Sequence, residues 1–214
     1  MTTLLHTQRL DSVCAAIDES GPASLVDLGC GDGDLLVRLA RNSGIGRLVG
    51  MDLCPRALDR LRERLKTEAD GAGRIEVRMG SMLEPQTDLR GFDCAVLLET
   101  IEHIEPERLS KLERAVFHDL RPKTVIVTTP NVEYNAILGV PARRFRHPGH
   151  RFEWPRARFR KWGARVAGSA GYQVEFRDIG GVHPELGGAS QMAVFRSDAH
   201  DALARRNPGG SLDA

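Results

Sequence analysis

Glu99-Thr-Ile-Glu102-His103 sets two carboxylates and an imidazole close together in the chain. If the segment winds into a helix, the three lie at i, i+3 and i+4 and share one face. Such a donor set can hold a divalent metal. A second stretch, Arg143-Arg-Phe-Arg146-His147-Pro-Gly-His150-Arg-Phe152-Glu153-Trp154, offers more imidazoles. His150 is a candidate fourth ligand. His147 competes with it, because His-x-x-His also chelates, and a solvated loop histidine is the plain alternative for either.

Asp27-Leu-Gly29-Cys-Gly31-Asp-Gly33 carries a different chemistry. Its glycines permit a tight turn, and the first-turn amides around Leu35 offer unpaired donors to an anion. A dinucleotide fingerprint needs Gly-x-Gly-x-x-Gly, which this loop lacks because Asp34 stands at the last position. The Asp-x-Gly-x-Gly-x-Gly form instead resembles motif one of the class I methyltransferases, which implies S-adenosylmethionine, with Asp27 helping to hold its amino group and its carboxylate at the helix start. Asp52 is placed to accept hydrogen bonds from ribose hydroxyls, and Ser81 and Leu98 fall where the same fold brackets adenosine.

These residues need a scaffold that gathers strand ends. Helical spacing runs from Leu4 to Ile17 and is stopped by Gly21-Pro22. Strands are expected at Leu25–Leu28, Arg47–Asp52, Arg74–Met79, Phe92–Leu98, Lys123–Thr129, Tyr172–Asp178 and Gln191–Arg196. Helices are expected at Leu35–Ala40, Pro55–Leu65, Pro106–Leu120 and Arg156–Ala170. The alternation predicts an α/β, Rossmann-like class I methyltransferase fold, with seven strands, mainly parallel, and an antiparallel final hairpin. Ligands then bind at the carboxyl ends of the strands. The expected organisation is one methyltransferase domain over 1–200, with an insertion at 131–155 on the site rim and a frayed tail at 201–214.

Taken together, the motifs resemble the Hen-type small-RNA 3′-terminal ribose 2′-O-methyltransferases. The resemblance runs through Gln8-Arg9-Leu10, Asp27 to Gly33, Glu99-x-x-Glu102-His103, Thr128-Thr-Pro130-Asn131-x-Glu133-Tyr134-Asn135, His150-x-Phe152-Glu153-Trp154 and Gln191 to Phe195. It implies that Glu99, Glu102, His103 and His150 are metal ligands and the catalytic set. Two departures stand out. Gly149 replaces an expected acidic support for His150, and Pro155 replaces an expected helix-capping threonine. The resemblance also implies an RNA 3′ end as substrate, links to RNA silencing and RNA repair, and an RNA-repair kinase–phosphatase–ligase as a partner. Longer relatives carry an additional RNA-gripping domain.

A ribose hydroxyl is a poor nucleophile at neutral pH, and no lysine or tyrosine is obviously placed to deprotonate it; a metal can take that role. Imidazole ligands favour Mn²⁺, Fe²⁺, Co²⁺ or Zn²⁺ over Mg²⁺; the expectation is Mn²⁺ in vitro, with Mg²⁺ as the alternative in cells.

A formal net charge of +1 leaves the question of a polyanionic partner to charge distribution. The basic residues crowd around the insertion, where Arg143, Arg144, Arg146 and Arg151, with Asn131 on the same rim, are candidate RNA contacts. Arg158 to Arg165 read equally well as a solvated helix face. Phe152 and Trp154 are candidates either for stacking on a base or for anchoring the insertion in the core.

Cys14, Cys30, Cys54 and Cys94 form no Cys-x-x-Cys pair and sit in contexts that favour burial, so a reduced, cytoplasmic setting is expected. No signal or membrane-spanning segment is apparent. Two other readings stay open: a metal-free small-molecule O- or N-methyltransferase, whose Glu-x-x-Glu-His stretch is similar, and a non-catalytic RNA-end-binding subunit. The oligomeric state is not encoded in any motif.

Overall fold

The computed structural model describes residues 3–41, 44–68, 72–181 and 183–198. The expected tail at 201–214 lies outside them. The elements run α1 (Leu4–Ser20), β1 (Ser24–Leu28), α2 (Asp34–Ala40), β2 (Arg47–Asp52), α3 (Pro55–Leu65), β3 (Ile75–Met79), β4 (Cys94–Leu98), α4 (Leu109–Glu113), β5 (Thr124–Pro130), α5 (Arg156–Ala170), β6 (Tyr172–Ile179) and β7 (Ser190–Ser197).

The seven strands form a single sheet in the order β3-β2-β1-β4-β5-β7-β6. β1 to β5 pair in parallel, whereas β7 runs antiparallel to both β5 and β6. The chain therefore reverses its direction of travel across the sheet between β1 and β4. That switch point opens a crevice at the strand carboxyl ends.

Alternation along the buried strands divides the core. Val26, Leu28, Val49, Met51, Ala95, Leu97, Val125 and Val127 face the side covered by α4 and α5. Leu25, Leu48, Cys94, Val96 and Ile126 face α1, α2 and α3. This is the two-faced burial that a doubly covered parallel sheet demands.

The helix expected over Pro106–Leu120 is not uniform. A 3₁₀ turn at Pro106–Arg108 leads into α4, and Arg114–Leu120 continues as a π-helical stretch. Arg121 ends it at φ +50°. Side-chain spacing cannot distinguish these three windings over so few residues.

The insertion is stapled down by backbone bonds and one side-chain amide. Asn131 bridges Trp154, Arg151 N donates to Glu102 O at 2.7 Å, and Gln191 Nε2 donates to Trp154 O at 2.8 Å. Pro155 takes the helix-cap position of α5, and Glu133 Oε2 accepts from Arg156 N at 2.9 Å. The capping acceptor thus comes from a remote carboxylate, which is why proline is tolerated there.

Candidate active site

After β1 the chain must turn sharply into α2. Gly29 has φ +81°, and a Cβ there would lie 2.1 Å from Thr100 Cγ2. Only glycine fits this close approach. Gly31 N donates to Asp52 Oδ2 at 2.9 Å, and Cys54 N donates to Asp52 Oδ1 at 2.8 Å. The end of β2 is thereby tied to the glycine loop, and the Asp52 oxygens keep lone pairs for a further donor.

Two adjoining hollows lie along this loop. One, of about 310 Å³, is lined by Asp27, Gly29, Gly31, Leu35, Leu98 and Glu99, among others. The other, of about 530 Å³, includes Gly29, Gly31, Asp52, Ser81, Glu99 and His103. Every expected cofactor residue except Gly33 lines one or both. Gly33 lines neither: a Cβ there would meet Leu61 Cδ1 at 2.1 Å, so this glycine seats α2 against α3.

Asp27 is buried, and its Oδ1 has no hydrogen-bond partner. Burial, reinforced by the nearby charge of Asp52, pushes its pKa up to about 7. A buried orphan acceptor of this kind fits an incoming ammonium group. It adjoins the smaller hollow, so the donor set suits an amino acid–nucleoside ligand lying across both.

At the end of β4, Glu99 adopts φ +51°, a left-handed conformation for a non-glycine residue. Its N–H donates to Thr128 Oγ1 at 3.0 Å on β5. Such backbone strain costs about 1–3 kcal/mol and persists where surrounding contacts enforce it. The expected helix over 99–103 is absent: a single 3₁₀ turn covers Ile101–His103. Glu99 and His103 both line the larger hollow, placed there by this kink and not by α-helical spacing.

Glu99 and Glu102 are the acidic floor of the site. Glu102 is fully buried; its Oε2 accepts from Thr129 Oγ1 at 3.0 Å, while its Oε1 has no partner. Glu99 Oε1 is likewise buried and unpartnered, and Glu99 Oε2 faces Arg9 Nε at 3.3 Å. Burial raises the pKa of Glu99, and burial followed by the charge of Glu99 drives that of Glu102 well above the usual carboxylate range. Two unsatisfied carboxylate oxygens side by side are costly unless a cation or protons compensate them.

Above this floor stand the histidines. His103 Nδ1 donates to Gly149 O at 3.2 Å, and His150 Nδ1 donates to Glu153 Oε1 at 2.6 Å. Each ring therefore keeps a lone pair on Nε2, the arrangement seen in metal-binding histidines. Their ring centroids are 4.8 Å apart. Burial, then the charge of His150, lowers the pKa of His103, which favours the neutral ring needed for ligation. One ligand-type atom from each of His103, His147 and His150 falls within 4.8 Å of the others. Neither Glu99 nor Glu102 belongs to that close set; imidazole nitrogens at this spacing suit a divalent cation, and the unpartnered buried oxygens of the two glutamates call for a positive charge.

The support expected from position 149 comes from elsewhere. Glu153 accepts from His150, from Asn135 Nδ2 at 2.6 Å and from Arg146 N at 2.7 Å. Although burial opposes it, these bonds hold the Glu153 carboxyl below its usual range. Gly149 serves through its backbone instead, with its carbonyl on His103 and its N–H on His147 Nδ1 at 3.0 Å.

The candidate RNA contacts divide. Arg143 and Arg144 are exposed, and Arg151 is exposed but paired with Glu105 at 3.0 Å. Arg146 is turned inward, where it donates to Asn135 Oδ1 at 2.6 Å, to Ala189 O at 2.7 Å and to Asn131 O. Asn131 is fully buried, its amide bonded to Leu186 O and Gly188 O. Both residues thus tie the insertion down through internal hydrogen bonds. Phe152 and Trp154 are also buried and stack on each other at 4.3 Å, so they anchor the insertion in the core. Among the described residues, Phe145 is the aromatic side chain left exposed, at 46%. Its position between basic residues was the available signal. Arg9, Thr129 and Glu153 were missed as site-builders because their contacts are set by tertiary structure.

Cys30 and Cys94 are buried as expected, whereas Cys14 is half-buried and Cys54 is exposed at the cap of α3; all four are free. No helix among the described residues is long and apolar enough to cross a membrane.

Comparison with known proteins agrees with this fold. A methyltransferase domain family matches residues 25–123. The solved methyltransferase domain of bacterial CtHen1-CN is 36% identical, with a TM-score of 0.81, over 90% of this chain and 99% of that one. The solved small RNA methyltransferase HEN1 is 35% identical, with a TM-score of 0.85, over 91% of this chain and 26% of that one. The small RNA 2′-O-methyltransferase of Arabidopsis thaliana is 35% identical over 91% of this chain and 23% of its own length. A chain of the Pnkp1/Rnl/Hen1 RNA repair complex shares the fold at a TM-score of 0.66 and 22% identity. The chain spans 23% to 58% of the length of the first three curated relatives it matches. With the glycine loop, the kinked Glu99 and the histidine-bearing insertion all in place on a class I methyltransferase sheet, the chain belongs to the Hen-type small-RNA 2′-O-methyltransferase family.

Proposed function

We propose that the protein transfers the methyl group of S-adenosylmethionine to the 2′-hydroxyl of the 3′-terminal nucleotide of a small or cleaved RNA, with a divalent cation held by Glu99, Glu102, His103 and His150. The observation that carries this reading is the pair of buried, unpartnered oxygens on Glu99 and Glu102, together with two imidazoles whose Nδ1 atoms are held by acceptors.

Asp27 holds the cofactor's ammonium group, the amides at the start of α2 meet its carboxylate, and Asp52 takes the ribose hydroxyls. Glu99 lines both hollows, so the acceptor oxygen and the methyl group are brought together beside it. The cation, when bound, supplies Lewis acidity that lowers the pKa of a coordinated hydroxyl. Arg9 pairs with Glu99 and limits repulsion between the two carboxylates. Arg143 and Arg144 approach the RNA backbone, and Phe145 offers a ring face to a base. Mn²⁺ or Mg²⁺, a cytoplasmic setting, a single methyltransferase domain over 1–200 and an RNA-repair kinase–phosphatase–ligase partner complete the reading.

The test is labelled-methyl transfer to a short RNA, with and without Mn²⁺, comparing ends bearing 2′,3′-diol, 2′-deoxy and 3′-phosphate. Transfer is expected only to the diol and only with the metal. Equal transfer to the 3′-phosphate end overturns the chelating geometry. His150→Ala is expected to abolish transfer while cofactor still binds, and Asp52→Ala to weaken cofactor binding first.

A further inference from the structure

The three histidines that converge at the site are not equivalent, and hydrogen-bond polarity separates them. The Nδ1 atoms of His103 and His150 face acceptors, a carbonyl and a carboxylate. That of His147 faces a donor, the N–H of Gly149 at 3.0 Å. A backbone N–H has no acceptor alternative, so His147 Nδ1 must supply the lone pair and the ring proton resides on Nε2. The remaining nitrogen of a neutral His147 is therefore an N–H donor, whereas those of neutral His103 and His150 carry lone pairs.

We infer that His147 is a positioning residue for substrate and no ligand at all: its Nε2–H donates a hydrogen bond to a hydroxyl oxygen of the terminal ribose seated against His103 and His150. This rests on the reading of the site given above. Proximity supports it. The His147 ring centroid lies 5.5 Å from those of both His103 and His150, and His147 and His103 are exposed. The ring is fixed by the short His147-Pro-Gly149 turn, whose closing bond is His150 N to His147 O at 3.1 Å. A Cβ on Gly149 would fall 3.0 Å from His147 Nδ1 and 3.2 Å from His103 Nδ1. The glycine thus lets one residue set both rings in opposite polarity, its carbonyl bonded to His103 and its N–H bonded to His147.

The experiment compares His147→Ala, His147→Asn and His147→Gln in the full chain. Asn keeps an acceptor near Gly149 N but has no outward donor; Gln reaches outward with an N–H. Each variant is measured for S-adenosylhomocysteine binding as a folding control, Mn²⁺ affinity by calorimetry, and affinity for a short RNA with a 2′,3′-diol end by fluorescence anisotropy. The expected result is unchanged Mn²⁺ affinity in all three. RNA binding weakens about threefold to tenfold in Ala and Asn, as for one missing hydrogen bond, and recovers in Gln. Mn²⁺ affinity falling tenfold or more makes His147 a ligand and overturns the inference. Recovery in Asn assigns it a purely structural role, and unchanged RNA affinity in all variants assigns it none; both overturn it. A wild-type protein that neither binds nor methylates RNA overturns the reading of the whole site, a distinct outcome.

Discussion

His150 donates from Nδ1 to Glu153 Oε1 across 2.6 Å, and the same oxygen accepts the N–H of Arg146 at 2.7 Å. One buried carboxylate therefore orients the candidate ligand and fixes the path of the basic loop. Glu153→Gln neutralises that carboxylate and turns an amide group toward at least one existing donor. Mn²⁺ affinity is expected to fall about 10–100-fold, the usual cost of losing a partner behind a ligand. Cofactor affinity should hold, and excess Mn²⁺ should restore part of the methyl transfer. An unchanged Mn²⁺ titration would remove Glu153 from the site.

Asp27 gives a pH signature. Its pKa is raised to about 7 by burial and by Asp52, so the cofactor-free protein gains stability from holding the proton. The sign follows: that contribution is complete below the ordinary aspartate pKa of about 4 and is lost as pH rises through about 7. An ammonium-bearing ligand needs the ionised form, so binding expels the proton and affinity rises with pH until about 7. Calorimetry with S-adenosylhomocysteine between pH 5.5 and 8, ~2.5 units spanning that transition, in buffers of different ionisation enthalpy, checks both signs. Asp27→Asn should flatten the pH dependence; a wild-type protein already flat across the range contradicts the assignment.

The sheet was legible because period-two and period-3.6 patterns are local properties, and each of the seven strands lies within two residues at either end of its expected position. The glycine loop was legible for a similar reason, since Gly29 and Gly31 answer a backbone demand. What local pattern could not give was the means of convergence. Glu99, Glu102 and His103 lie on one left-handed residue and a 3₁₀ turn, not on a helix. Nor could spacing separate an arginine on the surface from one in the core. Arg144 and Arg146 are two residues apart in one basic run, yet only tertiary acceptors, the carbonyls of Asn131 and Ala189, turn the second inward.

That division gives a prediction with opposite outcomes for neighbouring arginines. Changing Arg143 and Arg144 together to Ala should reduce the salt dependence of RNA binding, by about 0.7 in slope for each single-strand phosphate that is no longer neutralised. Melting temperature should stay near wild type. Arg146→Ala should instead destabilise the fold, since a charged hydrogen bond is worth about 1.5–3 kcal/mol and its buried acceptors would be stranded. Salt titrations and thermal melts of both variants decide it. A stable Arg146→Ala protein with a reduced salt slope would return Arg146 to the RNA surface.

Phe145 is the last residue whose exposure asks for a function. With Phe152 and Trp154 committed to each other inside the core, a base entering the site has no ring from that pair to stack on. Phe145 stands exposed in their place, preceded by Arg144 and followed by Arg146, whose N–H is anchored to the same Glu153 oxygen as His150. A ring held one peptide unit from that anchor sits on the rim of the site, and its face suits any base. Stacking on an aromatic side chain is worth about 1–3 kcal/mol per base, so Phe145→Ala should raise KM for RNA about tenfold with kcat and Mn²⁺ affinity kept. Phe145→Trp should bind as well as wild type or better. An abasic 3′-terminal nucleotide should bind wild-type protein as weakly as normal RNA binds Phe145→Ala, and the two effects should not add, because each removes one half of the same stacked pair. Fully additive effects would mean that the ring and the terminal base never meet.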